Sequence, residues 1–346
     1  MTTEQGSTFE DATELATINP IDVSRQTTGS GMESWPSRGI AYYFQYVVLV
    51  IGIVGTASNA FVLYAMVASK QHRKQVLIFN QNVLDFVSCL FLIATYSFRL
   101  GNMYLDGTLG YWLCVTLWGE GCSLGPYYAS VLNLAAVTIE RYLKVVHHAW
   151  AKKKLRPWMT YSTVAFTWMA GNAVVAGVTI HTTHVVDGIC YTHLFFPSKA
   201  AQVAFGIMQF LMFYVNILLI FVFCYGRILI TVRRQASVMA SHGAGGPSTA
   251  QTATNKMQAS VIKTMMLVSG LFAISCAPST VYAVILYSGS NLQMSEYGLY
   301  TAAIMAYLYM CTNPFIYAVK FDPVKRILLG LIPCKITQAP ENAEMT

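Results

Sequence analysis

Charged side chains within long apolar segments are the residues of this sequence best placed to do chemistry. Asp85 lies in the middle of the apolar run NVLDFVSCLFL, Glu120 lies early in the next apolar stretch, and Glu140 and Arg141 lie near that stretch's end. Charges inside membrane spans are costly, so each is by default a functional hypothesis. Asp85 needs a proton, a cation or hydrogen bonds, and is either an ion or water site or a protonated structural carboxyl. Glu140 and Arg141 also fit an ion pair at the lipid headgroups.

The composition places these charges in a membrane protein. Of 346 residues, 55% are hydrophobic and 11% are charged, whereas soluble domains carry about 25% charged residues. This excludes a soluble enzyme, a nucleic-acid-binding protein and a disordered scaffold. The net charge of +7 comes from short basic clusters between apolar runs, a pattern typical of membrane topology. The sequence contains no nucleophile–base pair, metal-ligand spacing or phosphate-binding loop, so no enzyme, catalytic residue or metal centre is expected.

Seven apolar stretches are long enough to cross a bilayer, which takes about 20 residues each. Lipid offers no partner to an unpaired backbone amide, so each stretch must be helical. The sequence therefore predicts an all-α, seven-transmembrane helix bundle. The stretches cover approximately residues 40–68, 76–98, 113–143, 158–180, 202–231, 261–287 and 298–319.

The distribution of basic residues predicts the orientation. Of the 22 lysines and arginines, only Arg25, Arg38, Arg99 and Lys199 fall on one side of the predicted spans. The positive-inside rule places that side and the N-terminus outside the cell, and the C-terminus in the cytosol. We therefore expect a multi-pass protein of the plasma membrane.

The sequence divides into four predicted parts. A polar, acidic tail at 1–38 is expected to be extracellular and disordered, and the bundle occupies 39–320. In residues 321–333, Val324, Ile327, Leu328 and Leu331 fall on one helix face and Lys325 and Arg326 face elsewhere, which predicts a short amphipathic helix on the membrane surface. Residues 334–346 form a cytoplasmic tail. Cys334, beside that helix, is either a palmitoylation site or a free thiol.

A set of motifs recurs in order along the predicted spans. They are Asn59, Asp85, Trp112 with Cys114, Glu140-Arg141-Tyr142, Trp168, Tyr225 with Ile228, Phe272 with Pro278, Asn313-Pro314 with Tyr317, and Phe321. This set resembles the rhodopsin-like (class A) G-protein-coupled receptors over about residues 40–335. The short helix after the last span would be the eighth helix of that fold.

The resemblance implies a receptor in which an extracellular ligand selects between two packings of the bundle. Pro278 would mark a kink about which the sixth span swings, Phe272 would repack, and Arg141 would help to form a cytoplasmic pocket for a G-protein α-subunit helix. The coupling and switch residues implied in this way are Glu140, Arg141, Tyr142, Tyr225, Phe272, Pro278, Asn313, Pro314 and Tyr317.

The resemblance also implies an allosteric sodium site with no other cofactor, a set of partners and a disulfide. Asp85, Ser130 and Asn313 match residues that bind a sodium ion in many members of the family. The expected partners are an extracellular ligand, a heterotrimeric G protein, arrestin and membrane lipids, without nucleic acid. Cys114 is expected to pair with Cys190, and Cys122 is the alternative partner. The sodium-site residues are thus Asp85, Ser130 and Asn313, and the disulfide candidates are Cys114, Cys190 and Cys122.

Several positions depart from the family pattern. Cys276 stands where the family usually has tryptophan, and Ile217 stands where it usually has proline. Cys114 precedes Arg141 by two residues more than is usual, so an irregular turn near Gly119 is expected. No acidic residue lies near Gln258 at the base of the sixth span, and the weaker lock on Arg141 predicts ligand-independent activity.

The sequence constrains the ligand mainly by arguing against two ligand classes, retinal and amines. Lys320 is at the cytoplasmic end of the last span, so a retinal Schiff base is not expected, and Ser123 stands where amine receptors place aspartate. Aromatic rings suit peptides or small neutral ligands, although packing and interface belts explain such rings equally. The acidic tail and Glu120 tilt the choice toward a basic or amidated peptide. The predicted ligand-binding residues are Glu120, Ser123, Tyr127, Tyr282, Tyr300 and Tyr307, with Trp118 and Tyr128 as further candidates.

The sequence leaves two other classes of function open. A transporter or channel would use polar residues along a pathway, but the sequence has neither an inverted repeat nor paired broken helices. A receptor-like protein that no longer signals, acting as an interaction partner, is kept open by the missing tryptophan and proline.

Overall fold

The computed structural model describes most of the chain. The described residues are 36–101, 103–192, 196–241, 249–288, 295–320 and 322–331. The predicted disordered tail up to residue 35, together with Phe321, Cys334 and the tail at 334–346, lies outside them.

The described residues form an all-α bundle, which confirms the predicted fold class. Seven of the helical segments are long and apolar enough to cross a membrane. They are Gly39–Ala68, Val76–Leu100, Gly107–Val146, Pro157–Thr182, Lys199–Arg234, Ile262–Ser288 and Glu296–Val319, and they are called the first to seventh spans below.

Helices account for all of these spans. In chain order they are α1 (Pro36–Ala68), α2 (Val76–Leu100), α3 (Gly107–Leu113), α4 (Gly121–Val146), α5 (His148–Lys154), α6 (Pro157–Thr182), α7 (Lys199–Phe210), α8 (Asn216–Ser241), α9 (Thr249–Ser288), α10 (Glu296–Lys320) and α11 (Asp322–Leu331). The third span packs against the second, fourth and fifth spans, and the sixth packs against the seventh. The third span therefore lies at the centre of the contacts that hold the bundle together.

The third span is interrupted, as its two additional residues predict. Between α3 and α4, Cys114–Trp118 forms a π-helical turn in which the Gly119 N–H donates to the Cys114 carbonyl over 2.7 Å. Glu120 then adopts a left-handed backbone conformation with φ of 60°. A Cβ on Gly121 would lie 2.6 Å from the Val115 carbonyl oxygen, so this close approach requires glycine.

The fifth span is interrupted at the position where the family's proline is missing. Leu211–Val215 forms a π-helical turn between α7 and α8, and the Asn216 N–H donates to the Leu211 carbonyl five residues earlier. Single π turns often occur at functional sites. Ile217 lies two residues after the turn, and the irregularity arises here without proline.

A short β-hairpin follows the fourth span. His184–Val186 (β1) pairs antiparallel with Ile189–Tyr191 (β2), and Val185 lies opposite Cys190. Asp187 and Gly188 both have positive φ in the two-residue turn, as a type I′ turn requires. Cys190 is bonded to Cys114 with their Cα atoms 5.5 Å apart. The disulfide predicted between these two residues is therefore confirmed, and the alternative with Cys122 is wrong.

Candidate ligand cavity and cytoplasmic switch

A cavity of about 210 Å³ lies between the third, fifth, sixth and seventh spans. Aromatic and small side chains make up most of its wall, which gives it a predominantly apolar lining. Its wall residues are Leu124, Tyr127, Tyr128, Val131, Gly206, Gln209, Phe210, Phe213, Phe272, Cys276, Ser279, Thr280, Ala283, Ala303, Ala306, Tyr307 and Met310. Of the predicted ligand-binding residues, Tyr127 and Tyr307 belong to this wall, as does the further candidate Tyr128.

Cys276 takes part in a polar contact across this cavity. Its Sγ lies 3.1 Å from the Tyr127 hydroxyl, and its backbone carbonyl accepts hydrogen bonds from Ser279 (3.0 Å) and Thr280 (2.8 Å). The residue that replaces the family's tryptophan therefore lines the cavity and links the third span to the sixth.

Glu120 is the centre of a second group, which we call the outer carboxylate cluster: Glu120, Arg99, Tyr96 and Tyr307. The Arg99 guanidinium forms an ion pair with Glu120 Oε1 at 3.0 Å, and Tyr96 donates to the same oxygen over 3.0 Å. Tyr307 donates to Glu120 Oε2 over 2.6 Å. Arg99 also donates to the Trp118 carbonyl and lies 4.8 Å from the Tyr96 ring centroid. The cluster joins the second, third and seventh spans.

The other predicted ligand-binding residues do not reach the cavity wall described above. Glu120 lies behind Tyr307, and Ser123 donates to the Glu120 carbonyl over 3.1 Å. Tyr300 stacks on Phe44 with ring centroids 4.6 Å apart, and Tyr282 is half-buried. Their involvement in ligand binding therefore stays a prediction.

Arg99 and Tyr96 are functional candidates that sequence reasoning missed. In the sequence, Arg99 counts only as one of the few basic residues on the outer side. The sequence signal that could have identified Arg99 was the opposite charge of Glu120 on the neighbouring span. Buried charges in proteins are generally paired, and an arginine near the end of an apolar span is a suitable partner for such a carboxylate.

Asp85 lies at a different site, in the fully buried interior of the second span. Ser130 donates to Oδ1 over 2.6 Å and Asn313 donates to Oδ2 over 2.7 Å, so the three residues of the predicted sodium site come together. Asn59 instead donates to the carbonyls of Gly55 and Met310. Within the part of the chain that the structure describes, no lysine or arginine forms a salt bridge with Asp85.

The donor set around Asp85 fits a hard cation such as sodium, which takes oxygen ligands. The carboxylate and the Ser130 hydroxyl supply oxygens, and Asn313 Oδ1 is buried without a hydrogen-bond partner among the described residues. Buried polar atoms normally have partners, so an unpaired one of this kind suggests an ion or water.

At the other end of the third span, Arg141 is held by two neighbours. Its guanidinium lies 3.3 Å from Glu140 Oε2 and donates to Gln75 at the start of the second span. Lys144 also reaches Glu140, with Nζ 2.7 Å from Oε1. Arg141 is itself largely buried, with 8% of its surface exposed. The carboxylate of Glu140 is therefore shared between two cations, one of which the motif does not include.

The remaining switch residues surround this group. The Tyr225 hydroxyl lies 3.1 Å from Thr138 Oγ1 and 3.0 Å from Ser269 Oγ, linking the third, fifth and sixth spans. The Tyr317 hydroxyl is buried and has no hydrogen-bond partner among the described residues. Neither tyrosine bonds Arg141 among the described residues.

Phe272 connects the cavity to these residues. Its buried ring packs 5.4 Å from the Tyr309 ring and 6.0 Å from the Phe221 ring, centroid to centroid. Pro278 lies inside α9 and Pro314 inside α10, where each removes a helical hydrogen bond. The Tyr142 hydroxyl bonds His147 at 3.0 Å, and its ring packs against the same core.

The sequence matches a family model and several known receptors along most of its length. The family model described as "7 transmembrane receptor (rhodopsin family)" matches residues 58–317. Melanopsin-B of Gadus morhua is 22% identical over 320 residues, covering 88% of this chain and 50% of that protein. Galanin receptor type 1 of Mus musculus is 23% identical over 326 residues, covering 90% of this chain and 88% of that receptor. The chain thus spans about half the length of that melanopsin.

A solved structure shares the fold. The crystal structure of squid rhodopsin superposes with a TM-score of 0.69 at 18% sequence identity, covering 87% of each chain. At this identity, the likeness concerns the arrangement of the helices.

Proposed function

Because the chain belongs to the seven-transmembrane receptors of the rhodopsin family, we propose that it passes the binding of an extracellular ligand to a heterotrimeric G protein. The closed arrangement of Arg141 with Glu140 and Gln75 at the end of the third span carries this proposal. A buried arginine keeps its charge when it is partly desolvated, so its release would create a charged pocket for a partner. The basic loops support a cytoplasmic location for this end and an extracellular N-terminus.

The ligand would occupy the cavity between the third, fifth, sixth and seventh spans. Phe272 belongs to the cavity wall and also packs on Tyr309. A ligand that contacts one packing of this wall better than the other shifts the bundle toward it. Pro278 lies in the same helix, and the swing of the sixth span about it would carry Ser269 away from Tyr225. The Tyr225 hydroxyl would then become available to Arg141.

The proposal includes a sodium ion in the inactive receptor. Asp85, Ser130 and Asn313 would hold it, and when bound it supplies a positive charge that offsets the Asp85 carboxylate. The buried, unpaired Asn313 Oδ1 supports this assignment. The hydrogen bonds from Ser130 and Asn313 orient the carboxylate.

Membrane lipids and arrestin are further proposed partners. In α11, Val324 is buried, whereas Lys325 and Arg326 are exposed. This supports a helix that lies on the lipid headgroups with its basic side chains in the aqueous layer. A palmitoyl chain on Cys334 would add a second anchor.

The test of the proposed function is a ligand screen read by G-protein dissociation in cells expressing the receptor. We expect Arg141→Ala to abolish both basal and ligand-driven dissociation, and Arg156→Ala, an exposed basic residue on the same side, to leave them intact at matched surface expression. A wild-type receptor with basal dissociation above that of mock-transfected membranes would support the predicted ligand-independent activity. Full dissociation with Arg141→Ala would contradict the proposed coupling.

A receptor-like protein that no longer signals is the second candidate, favoured by one observation. Cys276 replaces the usual tryptophan and is engaged with Tyr127, so the sixth span lacks an indole that could change rotamer. If no ligand class and no basal state gives G-protein dissociation at normal surface expression, this candidate is preferred.

A further inference from the structure

The Glu120 carboxylate, which bonds the cavity-wall residue Tyr307, is already paired with a cation of the protein, Arg99. The Glu120 carboxylate is bonded to the wall residue Tyr307, and its two oxygens accept bonds from Arg99, Tyr96 and Tyr307 at 2.6–3.0 Å. An incoming cation would have to displace Arg99, which is held in place by the Trp118 carbonyl and the Tyr96 ring. The fixed geometry of a guanidinium makes it a strong competitor for a carboxylate.

The polar side chains on the cavity wall have their partners within the protein as well. The Tyr127 hydroxyl is hydrogen-bonded to Cys276 Sγ, and Gln209 donates to Tyr128. Ser279 and Thr280 donate back to a carbonyl of their own helix. Unsatisfied polar groups in a pocket demand a polar ligand, because leaving them unpaired is costly. A wall that is satisfied in this way makes no such demand.

The wall also lacks charge. Among the described residues that line the cavity, none is Asp, Glu, Lys or Arg, so a charged ligand would lose its hydration without gaining a counter-ion. The cavity volume of about 210 Å³ is below the ≈ 300–1,000 Å³ typical of sites for drug-sized ligands.

We propose that this cavity selects a small, uncharged and largely apolar ligand, and that Arg99 sets this selectivity by occupying Glu120 so that cations are excluded. This inference rests on the proposed role of the cavity in ligand binding. The proposed ligand differs from the basic or amidated peptide that the sequence favours, because the Glu120 carboxylate is paired with Arg99 and bonded to Tyr307. Arg99 is thus a specificity-determining residue that does not itself line the wall.

The experiment compares two probes that share one ring system: 2-naphthylmethanol, which is uncharged, and 2-naphthylmethylamine, which is a cation at neutral pH. Tritiated probes are dialysed to equilibrium against the full-length receptor in lipid nanodiscs, with empty nanodiscs as the blank. We expect the alcohol to bind the wild-type receptor at least about tenfold more tightly than the amine, a difference of about 1.4 kcal/mol. This comparison requires no substitution.

Cavity-filling variants establish where the probes bind. Ala283→Phe and Ala306→Phe each place a ring in the cavity, so alcohol binding should fall to the level of empty nanodiscs in both. Arg99→Met should raise amine affinity by about tenfold or more because it frees the Glu120 carboxylate, whereas Arg99→Lys should leave the preference for the alcohol in place.

The outcomes separate this inference from the proposed coupling. Amine binding to the wild-type receptor as tight as alcohol binding, and lost in the filled variants, would overturn the inference. Binding of neither probe beyond the filled variants would overturn it too. Both probes are measured without G protein, so a failure of coupling leaves this test intact.

Discussion

Two buried carboxylates in neighbouring spans are neutralised in different ways. Glu120, in the third span, accepts bonds from a cation and two tyrosines. Asp85, in the second span, accepts bonds from Ser130 and Asn313, which are both neutral. Neutral donors stabilise a charge but do not cancel it, and an uncompensated ion in a low-dielectric interior costs several kcal/mol. We therefore expect the charge on Asp85 to be offset by a proton or a cation from solution, whereas the charge on Glu120 is offset by Arg99.

This difference indicates which site can respond to its surroundings. A carboxylate compensated by a proton or a free cation changes with the solution, and its neighbours Asn313 and Ser130 link it to the seventh and third spans. A carboxylate held by Arg99 changes only when the second span moves relative to the third. We therefore expect the Asp85 site to be sensitive to ions and the outer carboxylate cluster to act as a fixed cross-link.

The largest expected effect comes from breaking the internal ion pair. Arg99→Met leaves Glu120 buried without its cation, and removing one partner of a buried pair destabilises by about 3–5 kcal/mol. The melting midpoint of the purified receptor, followed by circular dichroism, should fall by several degrees or more. The double variant Arg99→Met/Glu120→Gln should recover much of the loss, and Lys199→Met, at an exposed outer lysine, should have little effect. A wild-type midpoint for Arg99→Met would show that Glu120 is not held by this pair.

The next effect concerns the bond that connects the cluster to the cavity wall. Tyr307→Phe removes a 2.6 Å hydrogen bond to the carboxylate, and hydrogen bonds to charged groups contribute about 1.5–3 kcal/mol. Tyr300→Phe on the same span, whose ring stacks on Phe44, is the matched control and should melt closer to wild type. Equal midpoints for the two variants would mean that Tyr307 contributes only its ring.

The comparison between the two carboxylates is tested directly with sodium. In sodium chloride rather than N-methylglucamine chloride, the wild-type receptor should gain about 1.4 kcal/mol when sodium is tenfold above its dissociation constant. Asp85→Asn should abolish this gain, and Glu120→Gln should retain it, both measured as shifts of the melting midpoint at constant ionic strength. If Glu120→Gln rather than Asp85→Asn removed the sodium effect, the roles assigned to the two sites would be reversed.

The sequence predicts the local elements well, but only part of what lies between them. Hydropathy alone locates all seven spans, because the need to satisfy backbone amides in lipid leaves no alternative to a helix. The resemblance carried by the ordered motifs predicts that Asp85, Ser130 and Asn313 form one site. It also predicts the Cys114–Cys190 disulfide.

The outer carboxylate cluster could not be predicted in this way. Its geometry depends on the left-handed turn at Glu120, a backbone state that bulky residues rarely adopt and that no side-chain pattern indicates. Tyr282 and Tyr300 illustrate the same limit, because their residue type fits a cavity wall but the rotation of each helix decides which side chains face it.

The smallest effect distinguishes the two oxygens of Glu120. Tyr96→Phe removes a donor to Oε1, but Arg99 lies 3.0 Å from the same oxygen, so the carboxylate keeps its cation and both oxygens keep a partner. We expect a loss of about 0.5–1.5 kcal/mol, the net value of an ordinary hydrogen bond, seen as a small fall in melting midpoint. The double variant Tyr96→Phe/Tyr307→Phe should lose more than the sum of the two single losses if the tyrosines jointly orient the carboxylate toward Arg99, since effects within one hydrogen-bond network are rarely additive. Strict additivity would instead mean that Arg99 alone fixes the position of Glu120.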